Sequence, residues 1–342
     1  MSNGEREMRI ILPQVNGHYL RYVELIKQRN PNLDLLIGSD RDWRALLRLV
    51  WLLFREFLNP KIRRIPIIFL HGEGQVLCAF LSAAIFRVPT RMLFYYGFTS
   101  ERSFSYRCLS RCALSMLAVV GVRLLYLEYS NKIIHPQFWK YFSYVPDPPL
   151  DVSEIYPPVP YSEKGPRRVL LAGSIDERKN YALLCGTLEK ICTKHTHLRV
   201  ELCVTGQQSE EANTYFLHHR WHKNIEVSIN NRRISNEEFG SSILEADVVW
   251  AFYDSHRGSS GMFLNAVSAG KKVIFNPVGV VKEFGLELEV HPPELVTGSI
   301  DLEQWLFHLL TESEPQYSAE AQQLFILRRS KEDFLKKLCN EP

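Results

Sequence analysis

Short stretches of this chain carry residues whose types and spacing suit chemistry. In Asp254-Ser255-His256-Arg257-Gly258-Ser259-Ser260-Gly261, glycines and hydroxyls stand directly before an apolar-periodic segment, Met262 to Ala269. Glycines let a backbone approach a ligand closely, and the free N–H groups of a helix start favour an anion. Arg257 adds a cation that can clamp phosphate or carboxylate, and Ser259 and Ser260 add hydroxyls to the backbone nest. Lys179 follows a glycine turn at Gly173 and opens a helix; in a cleft it neutralises a diphosphate, on an open surface it is unremarkable. His71 and Glu73 lie just beyond a buried strand, Ile65 to Leu70, where parallel sheets place their ligands. Otherwise the same histidine caps the next helix, Val76 to Phe86. Glycine turns before helices are common in any α/β domain, so a purely structural reading stays open for each turn.

The elements that position these residues are legible from periodicity. Val248 to Phe252 is an apolar run of strand length, Gly270 stops the helix after it, and Val273 to Phe275 is the next strand. Strand, glycine turn, helix, strand is the grammar of a parallel α/β unit. Ser235-Asn236-Glu237-Glu238 is a capping box that launches the helix before that unit. In the first half, Met8–Pro13, Tyr19–Arg29 and Leu33–Gly38 form a βαβ pattern. Arg91–Tyr96 and Arg123–Tyr126 are further strands, with a helix over Phe104–Met116 between them. Prolines crowd residues 146–160 and mark a crossover between domains. Ala319 to Leu338 predicts one long final helix.

These motifs resemble the donor-binding half of the GT-B glycosyltransferases, in particular the retaining enzymes of family 4. Val169 to Asn180 resembles the family's first strand and phosphate loop in the second domain, Glu201 to Gly206 its next strand, and Ser235 to Trp250 its helix and strand with the pair Ala246-Asp247. The likeness covers residues 165 to 290, and the first half by position and general grammar. It implies an α/β fold of the GT-B type, two Rossmann-like domains facing each other across a cleft: residues 1–160 for the acceptor, 161–320 for the nucleotide-sugar, and a C-terminal helix, 321–342, that crosses back to the first domain.

The resemblance also assigns roles. Lys179 matches the family's phosphate lysine, and Gly173 its loop glycine. The arginine that follows that glycine in the family is Ser174 here, leaving Arg178 either to supply charge from four residues on or to point to solvent. Two glutamates, eight positions apart in the family, fall on Arg257 and Asn265, whose amide can still bond a ribose hydroxyl. Tyr96 stands where the family's strand commonly ends in a histidine. Glu283 keeps the acidic residue near the following helix start. The candidate catalytic set is therefore Lys179, Arg257, Tyr96 and His71. The donor set is Gly173, Ser174, Arg178, Ser259, Ser260, Gly261, Asn265 and Glu283. Retention of configuration, with no protein nucleophile, is implied by the family alone.

Whole-chain properties bound the partners. At 342 residues, with 46% hydrophobic content, the chain suits two ordinary globular domains. Residues 1–160 carry 20 Lys and Arg against 13 Asp and Glu, and the remainder 21 against 25, so the first half is the one to meet an anion. Arg44, Arg48 and Arg55 keep helical spacing within Trp43–Leu58, as in a basic amphipathic helix at a membrane interface, or in an ordinary helix packed on the sheet. The seven cysteines form no framework and read as reduced core residues. The polar start, Ser2 to Glu7, reads as no secretory signal, which with the cysteines points to the cytoplasm, at or near the cytoplasmic face of a membrane. His218 and His222 are spaced to share a helix face but lack further metal ligands. No metal or cofactor is called for, and no nucleic-acid recognition motif is present. The expectation is a glycosyltransferase moving sugar from a nucleotide-sugar to a glycan or polyprenyl-linked acceptor, in polysaccharide or glycoconjugate assembly. The alternative is a catalytically silent GT-B homologue that binds a sugar nucleotide or serves as a scaffold.

Overall fold

Strands with apolar residues on both faces must be covered on both sides, and the chain meets that requirement twice with parallel sheets. The computed structural model describes residues 8–12, 17–37, 50–55, 58, 65–70, 75–95, 98, 103–128, 134–150, 165–254, 258–290 and 299–339. The chain divides into two units, 1–147 with 330–342, and 148–329.

The first unit holds β1 (Arg9–Leu12), α1 (Gly17–Arg29), β2 (Asp34–Ile37), β3 (Ile67–Phe69), α2 (Val76–Ala84), β4 (Thr90–Phe94), α3 (Phe104–Val119), β5 (Arg123–Leu127) and β6 (Ser143–Val145). Its sheet runs β2-β1-β3-β4-β5-β6, and every pair is parallel. Side chains alternate between two cores. Ile11, Phe69, Met92, Phe94 and Leu124 pack with Leu53, Ala79, Ala83, Leu114 and Leu117, so residues 50–55, α2 and α3 cover one face. Ile10, Leu12, Ile68, Leu93 and Leu125 pack with Tyr22 and Ile26 of α1 and with Phe334 and Leu338 on the other. At the exit from β6, Asp147 is fully buried; its carboxylate accepts from Tyr22 Oη at 2.8 Å, and its amide donates to Glu128 at 2.7 Å.

The second unit holds β7 (Arg167–Ala172), α4 (Tyr181–Lys194), β8 (Val200–Thr205), α5 (Glu210–His218), β9 (Ile225–Asn230), α6 (Asn236–Glu245), β10 (Val248–Ala251), α7 (Gly261–Ser268), β11 (Lys272–Phe275), α8 (Gly279–Glu287), α9 (Ser299–Thr311) and α10 (Ala319–Leu327). Its parallel sheet runs β11-β10-β7-β8-β9. Val169, Leu171, Leu202 and Trp250 pack under α4, α5 and α9, while α6 and α7 lie over β7, β10 and β11. The capping box at Ser235 and Glu238 is formed as its sequence specifies. On the free edge of β11, the Gln316 amide accepts from Val273 N at 2.6 Å and donates to Val273 O at 2.9 Å, standing in for a further strand.

The fold is of the expected α/β class, two Rossmann-like units each with a parallel sheet. The final helix differs from its sequence pattern. It breaks after α10, because Ser330 accepts from Asp333 N and begins a new helix, α11 (Lys331–Cys339). Arg329, just before the break, is buried between Phe284 and Phe325 and forks onto Glu287 at 3.0 and 3.2 Å. α11 belongs to the first unit, where Phe334 stacks on Tyr22 at 5.0 Å and Leu338 O accepts from Arg91 at 2.7 Å.

Candidate functional site: the carboxyl edge of β7 and β10

The chain order reverses between β7 and β10: from β7 it runs outward to β8 and β9, then returns to β10 and β11. Connections leave such a switch point in opposite directions and open a crevice at the carboxyl ends of the strands. Gly173 leaves β7 with φ +90°, and Gly206 leaves β8 with φ +124°, both in the region that only glycine enters without strain. The two turns touch. A Cβ on Gly206 would overlap the Gly173 carbonyl oxygen and lie 2.8 Å from its carbon, so neither the conformation nor the space admits a side chain.

After Gly173 the chain makes a short 3-10 turn, Glu177–Lys179, capped by Asp176, whose side chain accepts from Arg178 N. Lys179 is folded back beneath the loop. Its side chain is buried, its Nζ donates to Ala172 O and lies 5.8 Å from the Tyr253 ring, and a Cβ on Gly173 would sit 3.3 Å from it. Trp250 Nε1 donates to Lys179 O at 2.7 Å and fixes the backbone. Burial pushes the Lys179 ammonium down to about 8, with Asp176 opposing and Arg178 adding to the fall. A lysine held this way carries its charge at neutral pH at a desolvation cost that an anionic ligand would offset.

Tyr253 and Asp254 follow β10. Ser260 Oγ donates to Tyr253 Oη at 3.2 Å while accepting from Phe263 N, the N-cap bond of α7. Burial raises the Tyr253 phenol above its ordinary range, against the Ser260 hydrogen bond. Asn180, at φ +49°, donates to Asp254 at 2.7 Å, tying the turn after β7 to the turn after β10. Asn276 donates to Tyr253 O at 3.0 Å. Tyr253, Asp254, Asn180 and Gly206 join the candidate site without having been given a role from the sequence. Their signal is position alone: Tyr253, Asp254 and Gly206 lie just beyond a strand's carboxyl end, and Asn180 caps the helix that follows β7.

Of the residues singled out from the sequence, Gly173, Lys179 and Ser260 are linked through Tyr253 into one cluster, and Gly261 opens the helix there. Ser259 is half-buried on the approach to that helix, and Ser174 is exposed on the loop. Arg178 is exposed and committed to Asp176, which it grips at 2.7, 3.0 and 3.1 Å; that hydrogen bonding holds its guanidinium above its ordinary value. Asn265 is buried in α7, and its amide oxygen accepts from Leu150 N at 2.6 Å. Glu283 lies half-buried on α8. Arg257, Tyr96 and His71 lie outside the described residues. α5 ends at His218, so His222 shares no helix face with it, and no group of side chains among the described residues is arranged to hold a metal ion. A second hollow lies over the sheet beside α6, and there Arg168 is already paired with Glu201 at 2.7 Å and Glu245 at 3.3 Å.

No protein-family model matches the chain, and no curated protein matches it in sequence. Solved structures do match it in shape. Anabaena HepE in complex with UDP aligns with a TM-score of 0.65 at 11% identity, over 96% of this chain and 98% of that one. A UDP-forming α,α-trehalose-phosphate synthase from Burkholderia vietnamiensis aligns with a TM-score of 0.65 at 9% identity, over 97% and 96%. Acinetobacter baumannii MurG aligns with a TM-score of 0.56 at 12% identity, over 97% and 98%. At such identities the likeness shows the fold, which is GT-B.

Proposed function

We propose that this chain is a glycosyltransferase that binds a nucleotide-sugar at the carboxyl edge of β7 and β10 and passes its sugar to a glycan or polyprenyl-linked acceptor held by the basic first unit. The observation that carries the reading is the position of Lys179: a buried ammonium directly under a glycine turn, near the Tyr253 ring whose hydroxyl accepts from the α7 N-cap Ser260, at the switch point of a parallel sheet. A leaving nucleoside diphosphate gains negative charge as the glycosidic bond breaks. Lys179, Arg257 and the amides at Ser260 and Gly261 stabilise that charge where it develops. Ser174, Ser259 and Glu283 line the donor, and His71 and Tyr96 face the acceptor side. HepE is described in complex with UDP and with UDP-glucose, and the trehalose-phosphate synthase as UDP-forming, so a UDP-sugar is the first donor to try. Transfer retains configuration by analogy with the family 4 enzymes. The protein works in the cytoplasm in polysaccharide or glycoconjugate assembly, touching anionic membrane through Trp43–Arg64.

A second reading has its own support. Arg178 is bound to Asp176 and the Asn265 oxygen to Leu150, so two positions expected to meet the donor are already engaged. A silent GT-B homologue that retains sugar-nucleotide binding, or acts as a scaffold, fits that pattern. Calorimetric titration with UDP, GDP, ADP and their sugars separates the two, run beside Lys179→Ala and Arg257→Ala. Binding of one nucleotide class, weakened in both variants and followed by slow donor hydrolysis, supports the transferase. Binding without turnover supports the silent homologue, and no binding at all removes the donor site.

A further inference from the structure

Cys108 and Cys112 are exposed on α3, one helical turn apart, whereas Cys78, Cys185 and Cys192 are buried. Residues at that spacing on a helix hold their Cβ atoms about 5–6 Å apart. Leu114 and Leu117 face the core of the first unit. At about 100° per residue, both thiols leave the helix within about 30° of the opposite direction, so they hold the middle of its outward side. Phe104, Leu109, Met116 and Val119 stand around them, all exposed, with Leu109 at 73% and Val119 at 87%. α3 has no acidic residue, and Arg111, next to Cys112, is exposed. An apolar face does not name its own cover, but a pair of thiols does. Zinc in a closed site takes four cysteine thiolates at about 2.3 Å, often from pairs with about two to four residues between them, and its sulfurs lie about 3.8 Å from one another. Rotation about Cα–Cβ brings two sulfurs one turn apart to that distance. Among the described residues no third histidine, cysteine or carboxylate joins the pair, so one chain supplies half a site.

A twofold axis through the metal supplies the other half. When two copies of α3 lie antiparallel with the axis level with Ser110, Cys108 of one faces Cys112 of the other. The same register sets Phe104 against Met116 of the second copy, a ring–thioether contact. Four thiolates around a divalent cation leave two negative charges, and Arg111 from each copy offsets them. We propose that Cys108 and Cys112 are half of a tetrathiolate site for zinc or a similar soft divalent cation, completed by the same pair from a second copy of this chain. Binding releases four thiol protons from two chains and changes no oxidation state. The metal then holds two α3 helices together at their outward sides. The inference rests on α3 alone and is independent of the donor chemistry.

The test titrates Co2+ into the full-length protein, reduced and freed of metal by a chelator, while absorbance and light-scattering mass are read together. Tetrahedral cobalt gives strong visible bands, and its thiolate ligands give charge transfer in the near ultraviolet. Both should saturate at one cobalt per two chains, with the mass doubled at the same point. Zinc then discharges the colour and keeps the dimer. Cys108→Ser and Cys112→Ser each lose the colour and the dimer, and melt as the metal-free parent does because both thiols are exposed. Met116→Asp keeps all four thiols, sets two carboxylates against Phe104, and weakens the metal-bound dimer about tenfold. A readout on the parent alone needs no variant: zinc at saturation blocks maleimide alkylation of Cys108 and Cys112. The proposal is overturned by one cobalt per chain with the mass unchanged, or by colour that survives the double serine variant. It is equally overturned by a dimer that forms to the same extent in chelator, or by alkylation at the same rate with and without zinc. Nucleotide titration of the metal-free protein reads the donor site separately, so its failure would count against the transferase and leave the metal site standing.

Discussion

Gly206 and Gly173, thirty-three residues apart, meet back to back: a Cβ on Gly206 would overlap the Gly173 carbonyl, so there is no room for a methyl group between them. The contact sets the height of the loop over Lys179, since the same Gly173 lies next to the lysine ammonium. Gly206→Ala must therefore both leave a disfavoured φ and push the β7 loop aside, at a cost of roughly 3 kcal/mol or more. Urea denaturation reads that loss, and nucleotide affinity should fall with it because the loop moves. Gly186→Ala is the control. That glycine lies inside α4 with nothing within 4 Å of an added Cβ, and the change should stabilise by about 0.5–1 kcal/mol.

Lys179 sets a pH dependence whose sign follows from its burial. Its ammonium is lowered from 10.5 to about 8 in the folded state, so between those values the unfolded chain binds more protons than the folded one. Stability then rises with pH across that window, and the desolvation penalty is fully present below it, at about 3 kcal/mol in order of magnitude. Lys179→Met removes the effect. The difference in unfolding free energy between parent and variant should shift in the parent's favour from pH 8 to pH 10. Affinity for a nucleoside diphosphate moves the other way, weakening above pH 8 as the cation is lost. A parallel pH dependence in parent and variant would contradict the buried placement.

The candidate site is legible in the sequence where its geometry is local. Gly173, the Ser260 cap and the strand beneath them are specified by a few consecutive residues, and the α/β order follows from alternating periodicities. What the sequence hid depends on contacts between distant segments. Gly206 reads as an ordinary strand end until the Gly173 turn is seen against it. Asn265 offers a ribose-binding amide in sequence, yet its partner lies 115 positions away. The resemblance leaves Arg178 to supply donor charge, while Asp176, two residues earlier, engages its guanidinium. Cys108 and Cys112 read as core residues because α3 carries apolar residues on more than one face, and one sequence pattern cannot say which face the sheet takes. The break at Ser330 was readable, since Ser330-Lys331-Glu332-Asp333 carries an N-cap and an acidic first turn.

Tyr22→Phe tests the support of the first sheet. The Tyr22 hydroxyl is a donor to a fully buried Asp147 carboxylate, and burial together with that carboxylate raises the phenol well above its usual range. Removing the hydroxyl takes a hydrogen bond from a buried charge and should cost about 1–3 kcal/mol. Stacking on Phe334 is retained, so the loss should appear in the denaturation midpoint with an unchanged slope. Nucleotide binding, which the proposal above puts in the second unit, should not change.

Asn265 separates two roles that the same side chain suggests. If its amide reads a ribose hydroxyl, Asn265→Ala weakens nucleotide binding strongly and leaves stability nearly as it was. The bond to Leu150 N predicts the reverse emphasis. Leu150 is half-buried, so its amide would lose its partner, and Asn265→Ala should destabilise by about 1–2 kcal/mol. The nucleotide affinity of the molecules that remain folded would stay within a few-fold. Asn265→Asp keeps an oxygen acceptor at the same place and strengthens it with charge, though burial of that charge offsets part of the gain. It should therefore recover much of the stability that alanine loses. Chemical denaturation and calorimetry on the two variants decide between ribose contact and chain clamp, because only the clamp predicts rescue by aspartate in stability with little movement in affinity.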